Sequence, residues 1–261
     1  MNYSFIHSTD SFVLSLLIFT GMILLVKLGS FLAHRRQLRE AADLQGSSGS
    51  LLAALFGLFG FILAFTFGMS GNRYENSRNV ITEEANDIGT AILRSDLYPD
   101  SIRAAFRQDF KIYLEARILY FEHFSETASV RHSKEAAAVA GQRLWDRACG
   151  QARMPGMLVP SNLMIPALNN MFDIATKREI LILTPVPDII VWMLLILALA
   201  TSFIGGLTVR EMHRKDWIVV FTFALLSSMI IFITLDLGRP MRGVIKVDVS
   251  EQAIIALRKM F

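Results

Sequence analysis

Residues 51–70, LLAALFGLFGFILAFTFGMS, run directly into residues 71–95, GNRYENSRNVITEEANDIGTAILRS, and this junction decides the fold. The first twenty residues are apolar and uncharged. At 1.5 Å per residue they span about 30 Å, the thickness of a bilayer's hydrocarbon core. The next stretch is charged but keeps a helical stripe, with Tyr74, Arg78, Ile81, Ala85, Ile88 and Ile92 recurring at three- and four-residue steps. Gly68 and Gly71 are the only breakers at the junction. The expectation is one helix of about 45 residues and about 65 Å, leaving the bilayer near Ser70 and ending near Ser95, ahead of the turn Tyr98-Pro99-Asp100.

Along the apolar half, Ala53, Gly57, Gly60, Ala64, Gly68 and Gly71 fall within an arc of about 80°. Two readings are open. A ridge of small residues lets helix backbones approach closely, which assigns Ala53, Gly60, Ala64 and Gly68 to helix packing. Phe61 and Phe65 stand beside the ridge one turn apart, with Gly57 one turn above. In a bundle of several copies that line faces a central axis and forms an apolar constriction that gates by dewetting.

Three further segments can span: Ser11–Ala33, Ile189–Thr208 and Trp217–Leu235. Lys27, near the end of the first span, is the only charge inside any of the four and can snorkel. Hydrophobic residues make up 53% of the 261-residue chain, charged residues 19%, and mean hydropathy is +0.44. That composition excludes a disordered chain or a secreted disulfide scaffold, and the single Cys149 permits no internal disulfide. Residues 71–185 carry 14 basic and 14 acidic side chains, so the net charge of +3 lies in the membrane flanks. The basic pI marks a membrane anchor and excludes a nucleic-acid footprint. The N-terminus lacks a basic region and a cleavage site, which reads as an uncleaved anchor.

Between the second and third spans the pattern remains helical. A helix starting at Asp100 or Ser101 buries Ile102, Phe106, Phe110, Tyr113 and Phe121. An Ala-rich helix follows over 133–152, broken by Met154-Pro155-Gly156 and Val159-Pro160. The last starts near Ser161 and carries Leu168, Met171, Phe172, Ala175 and Ile182. The expected organisation is residues 1–70 as a first membrane hairpin, 71–185 as a helical extramembrane domain, 186–238 as a second hairpin, and 239–261 as a C-terminal tail.

Catalytic chemistry finds no motif. The five histidines show no ligand spacing, and no phosphate loop or nucleophile elbow is present. No catalytic residue, metal or cofactor is assigned. Glu83 and Glu84 are adjacent, hence about 100° apart on a helix, and read as a solvated face. Cys149, between Arg147 and Arg153, reads as a free thiol. Polar residues with structural roles are expected at Arg73 and Arg78, at Asn169, Asp173 and Arg178, where Asn169 and Asp173 share a helix face, and at Asp236, Arg239 and Arg242. There Asp236 and Arg239 can pair across the end of the fourth span.

The chain resembles the bacterial bestrophin-like family through Phe65-Thr66-Phe67, Arg73-Tyr74 with Arg78, Glu84-Ala85-Asn86, Ile88-Gly89-Thr90, Arg94-Ser95-Asp96-Leu97, Leu168-Asn169 with Asp173 and Arg178, and the run from Asp236 to Gly243. Order and spacing carry the resemblance over residues 51–250. It implies four spans per subunit, a cytoplasmic helical domain and a pentameric ion channel. An aromatic pore residue stands eight positions before an Arg-aromatic pair in true bestrophins, as Phe65 stands before Arg73-Tyr74, which puts the neck at Gly57, Phe61 and Phe65. The sequence departs from that pattern at Glu75, where a tryptophan stands in the family, and at Gly57, where a bulky apolar residue stands.

The resulting expectation is an all-α, polytopic inner-membrane protein. It forms a homo-oligomer, a pentamer by resemblance, in contact with the lipid bilayer and small inorganic ions. The alternative is a non-conducting sensor or scaffold whose helical domain binds a partner. Charge does not fix the orientation. Seven Lys or Arg near the spans lie on the side of residues 71–185 and six on the other, while Arg35-Arg36 after the first span favour the opposite arrangement. The resemblance implies that 71–185 is cytoplasmic.

Overall fold

The structure, a computed structural model, describes residues 9–35, 44–122, 127–184, 186–209, 213–239, 244 and 248–261. Its elements are α1 (Ser11–Arg35), α2 (Leu44–Arg94) with a 3-10 turn at Ser95–Leu97, α3 (Asp100–Glu122), α4 (Thr127–Ala152), α5 (Leu158–Leu183), α6 (Asp188–Leu207), α7 (Arg214–Leu237) and α8 (Asp248–Ala256), closed by a 3-10 turn at Leu257–Met260. No strand occurs among the described residues. Four helical stretches are long and apolar enough to cross a membrane, and the protein is a multi-span membrane protein.

α2 is unbroken over 51 residues. It starts at Leu44, ahead of the expected Leu51, taking in the Gly- and Ser-rich residues 46–50. Each such residue costs about 1 kcal/mol or less in a helix that is already nucleated. The buried seam of α2 runs Phe59, Leu63, Thr66, Ser70, Ser77, Ile81, Glu84, Ile88 and Ala91, in steps of three and four except for the double step from Ser70 to Ser77, and continues to Ser95 in the 3-10 turn. Arg78 is exposed, one step outside that seam.

The chain divides into two compact units, Met1–Arg73 with Val186–Arg239 and Tyr74–Pro185 with Pro240–Phe261. In the first, Leu14, Ile18 and Met22 of α1 pack with Leu194, Leu195 and Ala198 of α6, Ala224 and Ile231 of α7, and Phe59 and Leu63 of α2. α1 and α6 cross at Gly29 and Gly206. A Cβ on Gly29 would strike the Phe203 carbonyl oxygen, and one on Gly206 would strike the backbone of Val26. Buried hydroxyls turn back onto their own helices. Thr66 donates to the Ile62 carbonyl at 2.7 Å, Thr201 to Leu197 at 2.7 Å and Thr234 to Ile230 at 2.8 Å. These three hydroxyls thus meet the hydrocarbon with their donors already satisfied.

The second unit is built on Ile81, Ile88 and Ile92 of α2, Phe106, Phe110 and Leu114 of α3, Leu144 of α4, and Met164, Leu168 and Met171 of α5. Two boundaries differ from expectation. α4 begins at Thr127 rather than Ser133. α5 begins at Leu158, because Pro160 falls in the first turn, where a helix needs no amide donor, so Val159-Pro160 breaks nothing. Pro166 is accommodated inside α5. The break at Met154-Pro155-Gly156 stands, with Gly156 at φ 79°, a left-handed turn that suits glycine. The C-terminal residues join this unit. Ile254 enters the core, Arg258 donates to both carboxylate oxygens of Glu115 at 2.8 and 2.7 Å, and Arg107 reaches the Met260 carbonyl at 2.6 Å.

Candidate functional site

One face of α2 is left bare. Opposite the buried Phe59, Leu63, Thr66 and Ser70, residues Ala53, Gly57, Gly60, Phe61, Ala64, Phe65 and Gly68 are all exposed. Phe61 is 66% exposed and Phe65 53%. Their rings are stacked 6.5 Å apart at 15°, forming a flat aromatic strip along the helix. A Cβ at Gly57, Gly60, Gly68 or Gly71 would meet no atom within 4 Å. The glycines of the small ridge therefore meet no other helix among the described residues. The close approach that glycine provides within the subunit occurs instead at Gly29 and Gly206, which the sequence reading did not single out. Of the four apolar windows, that of α2 is the least covered, 17% buried against 33% for α1 and α7.

The end of this bundle that holds Arg73 and Gly238 is polar. Arg73 on α2 donates through Nε to the Gly238 carbonyl at 3.2 Å, beyond the end of α7. Asp236 is buried, and the Arg239 amide donates to its carbonyl at 2.9 Å. The Arg239 guanidinium reaches the Thr9 carbonyl at 2.5 Å and the Ser11 hydroxyl at 3.3 Å. These groups tie the end of α7 to α2 and to the start of α1. Arg242 lies outside the described residues.

Residues 18–252 match the family model of the Bestrophin-like domain. The chain belongs to the bestrophin-like family. Its fold is that of a bacterial bestrophin homologue from Klebsiella pneumoniae, at 17% identity, covering 92% of this chain and 98% of that one, with a TM-score of 0.64. A single-residue variant of that homologue gives 17% identity, 91% and 99% coverage and a TM-score of 0.63. A further crystal structure, described as that of a membrane protein, gives 17% identity, 93% and 97% coverage and a TM-score of 0.67. No curated protein sequence matches.

The helical unit of this bestrophin-like chain holds a buried ion cluster that the sequence reading missed. Glu84 was expected on a solvated face with Glu83. It is fully buried, while exposed Glu83 pairs with Lys177 at 3.3 Å. Glu84 accepts from Arg117 Nε on one oxygen and from Arg178 on the other, both at 2.7 Å. Arg117 also reaches Glu179 at 3.3 Å, and Lys134 closes on Glu179 at 2.5 Å. Burial pushes the Glu84 carboxyl upward, but the two guanidiniums outweigh it and hold it below the usual range. Arg178 lies over the Phe121 ring, 3.2 Å from its centroid. Its Nε and Nη2 have no partner among the described residues. Arg178 borders a cavity of about 30 Å³ together with Glu251 and Ile254, room for a water. A signal was present in the sequence, since Glu84 lies three after Ile81 and four before Ile88, inside the buried stripe. Asn169 and Asp173 are exposed on α5, with no hydrogen bond between side chains across helices among the described residues.

Proposed function

We propose that the protein is the subunit of a homo-oligomeric, pentameric ion channel of the inner membrane, with α2 facing the central axis and Gly57, Phe61 and Phe65 forming an apolar neck. The observation that carries this reading is the uncovered face of α2. Lipid alone gives no reason for a whole helix face to combine glycines with two stacked phenylalanines. Neighbouring copies do, since Ala53, Gly60, Ala64 and Gly68 admit an adjoining helix at close range while the phenyl strip lines the axis. Phenyl rings offer no group to replace an ion's hydration shell, so permeation requires transient widening of the neck. The protein acts on passing inorganic ions and performs no covalent chemistry. Residues 71–185 lie in the cytoplasm, outside the bilayer, and Arg73, Asp236 and Arg239 hold the inner ends of the spans in register.

Ion flux into liposomes containing the purified oligomer tests this reading. Phe61→Ala/Phe65→Ala widens the neck without adding charge, so flux rises and gating weakens while selectivity changes little. Silence of both wild type and double variant overturns the channel reading in favour of a non-conducting membrane scaffold.

A further inference from the structure

The helical unit contains an open groove of about 470 Å³ between α3, α4 and α5. Its floor and walls are aromatic and small: Tyr113 from α3, Ala138, Gly141 and Trp145 from α4, and Phe172 from α5. Tyr113 and Phe172 meet edge to face at 6.3 Å. The Phe172 ring comes so close to α4 that a Cβ on Gly141 would sit 3.1 Å from it. The groove is thus a frame with packed walls, in the size range of small-molecule sites.

Polar groups in this frame are left for something else. Tyr113 is 4% exposed, and its hydroxyl has no hydrogen-bond partner among the described residues. Burial pushes its phenol up, so it remains a neutral donor at physiological pH. The Trp145 indole N–H and the Asn169 amide likewise line the groove without a partner among the described residues. The potential is set by charges in and behind one wall. The charged side chains that line the groove are Arg117, Lys134 and Glu179, one net positive charge, with Glu84 and Arg178 paired behind Arg117 and Glu251 acting on Arg178. A net positive charge in a low-dielectric wall favours a single negative charge on the occupant.

We infer that this groove is a binding site for a small, flat aromatic monoanion such as an aryl carboxylate, its ring between Tyr113, Trp145 and Phe172 and its charge toward Lys134 and Arg117. The inference goes beyond ion permeation and is read from a different part of the chain. Its test needs no conductance.

Trp145 is the natural reporter. In the full-length protein in nanodiscs, Trp192→Phe/Trp217→Phe leaves it the sole tryptophan. The probes are 4-nitrobenzoate and its neutral counterpart 4-nitrobenzyl alcohol, both fluorescence quenchers. The expected result is saturable quenching by 4-nitrobenzoate, with the neutral probe about tenfold weaker, the ratio corresponding to one favourable charge contact. Lys134→Gln narrows that gap, and Ala138→Phe, which fills the groove from an exposed position, abolishes saturation. Linear quenching that is equal for both probes overturns the inference. So does saturation that persists in Ala138→Phe while Lys134→Gln leaves the gap unchanged. A Trp145 that neither nitro compound nor acrylamide can reach also overturns it, by showing the groove to be covered by a second copy of the chain.

Discussion

At the scale of single residues, Glu84 is the costliest side chain to alter. It is a fully buried carboxylate between two guanidiniums that are themselves almost wholly buried. Such a cluster is weak evidence of net stabilisation against an apolar replacement. Removing one partner is another matter, because it strands charge without solvent, at about 3–5 kcal/mol. Glu84→Gln leaves Arg117 and Arg178 facing a neutral amide, and it lowers the denaturation temperature of the detergent-solubilised protein well below wild type at pH 7. The pH dependence follows from the lowered carboxyl. A group held below its ordinary value of 4.5 stabilises the folded state above about pH 4.5, and that contribution is lost as pH falls through the lowered value. Wild type therefore loses stability below about pH 4.5, and Glu84→Gln shows a shallower acid limb in the same titration. An equal slope in both proteins would mean that other carboxylates carry the acid response. Exposed Glu83, paired only with exposed Lys177, supplies the control, since Glu83→Gln shifts stability by about 1 kcal/mol or less.

At the scale of elements, glycine plays two opposite roles that the same residue type conceals. Gly206 meets the backbone of Val26, so a side chain there must push α6 away from α1. A Cβ on Gly60 would meet no atom within 4 Å among the described residues. Gly206→Leu therefore lowers the yield of folded protein and its thermal midpoint, at a cost of about 1–3 kcal/mol or more from overpacking. Gly60→Leu leaves helicity and subunit fold intact and, on the proposed assembly, shifts the elution volume of the oligomer on size exclusion. If Gly60→Leu were the variant that fails to fold, the bare face of α2 would have to be covered from within the chain. Sequence alone distinguishes these cases poorly. The length of α2 is legible because no proline interrupts a 3.6-residue period, and the small ridge is legible as composition. What the ridge touches depends on which helices pack together, and the crossing of Gly29 with Gly206 depends on pairing α1 with α6 across most of the chain. Glu84 was hidden for a related reason. Two successive carboxylates suggested solvent, whereas the 100° between them leaves Glu83 outside and the phase of Glu84 within Ile81–Ile88 turns it inward toward arginines on α3 and α5. The C-terminal segment, apolar only at scattered positions, gives no sign before folding that Ile254 enters the core.

At the scale of the whole molecule, the proposed orientation decides which compartment the helical unit meets. On the proposed topology the four spans put residues 71–185 and the segments before the first span and after the last on one side, and the local charge signals conflict. Arg35 and Arg36 follow the apolar segment of the first span, on the short-loop side, while Arg73, Arg78, Lys177, Arg178 and the basic residues after α7 fall on the other. Arg178 is buried with Glu84, so it is neutralised in the folded protein and counts for less in the final structure than in the nascent chain. The proposed arrangement puts the unit in the cytoplasm. Cys149 reports on it directly, as the sole cysteine, partly exposed near the end of α4 in that unit. A membrane-impermeant maleimide added to intact cells, or to cells with only the outer membrane permeabilised, leaves Cys149 unmodified. The same reagent labels it once the inner membrane is breached. Cys149→Ser gives no labelling under any condition and calibrates the background. Modification before the inner membrane is opened would place the helical unit outside and reverse the direction from which any occupant of its groove arrives.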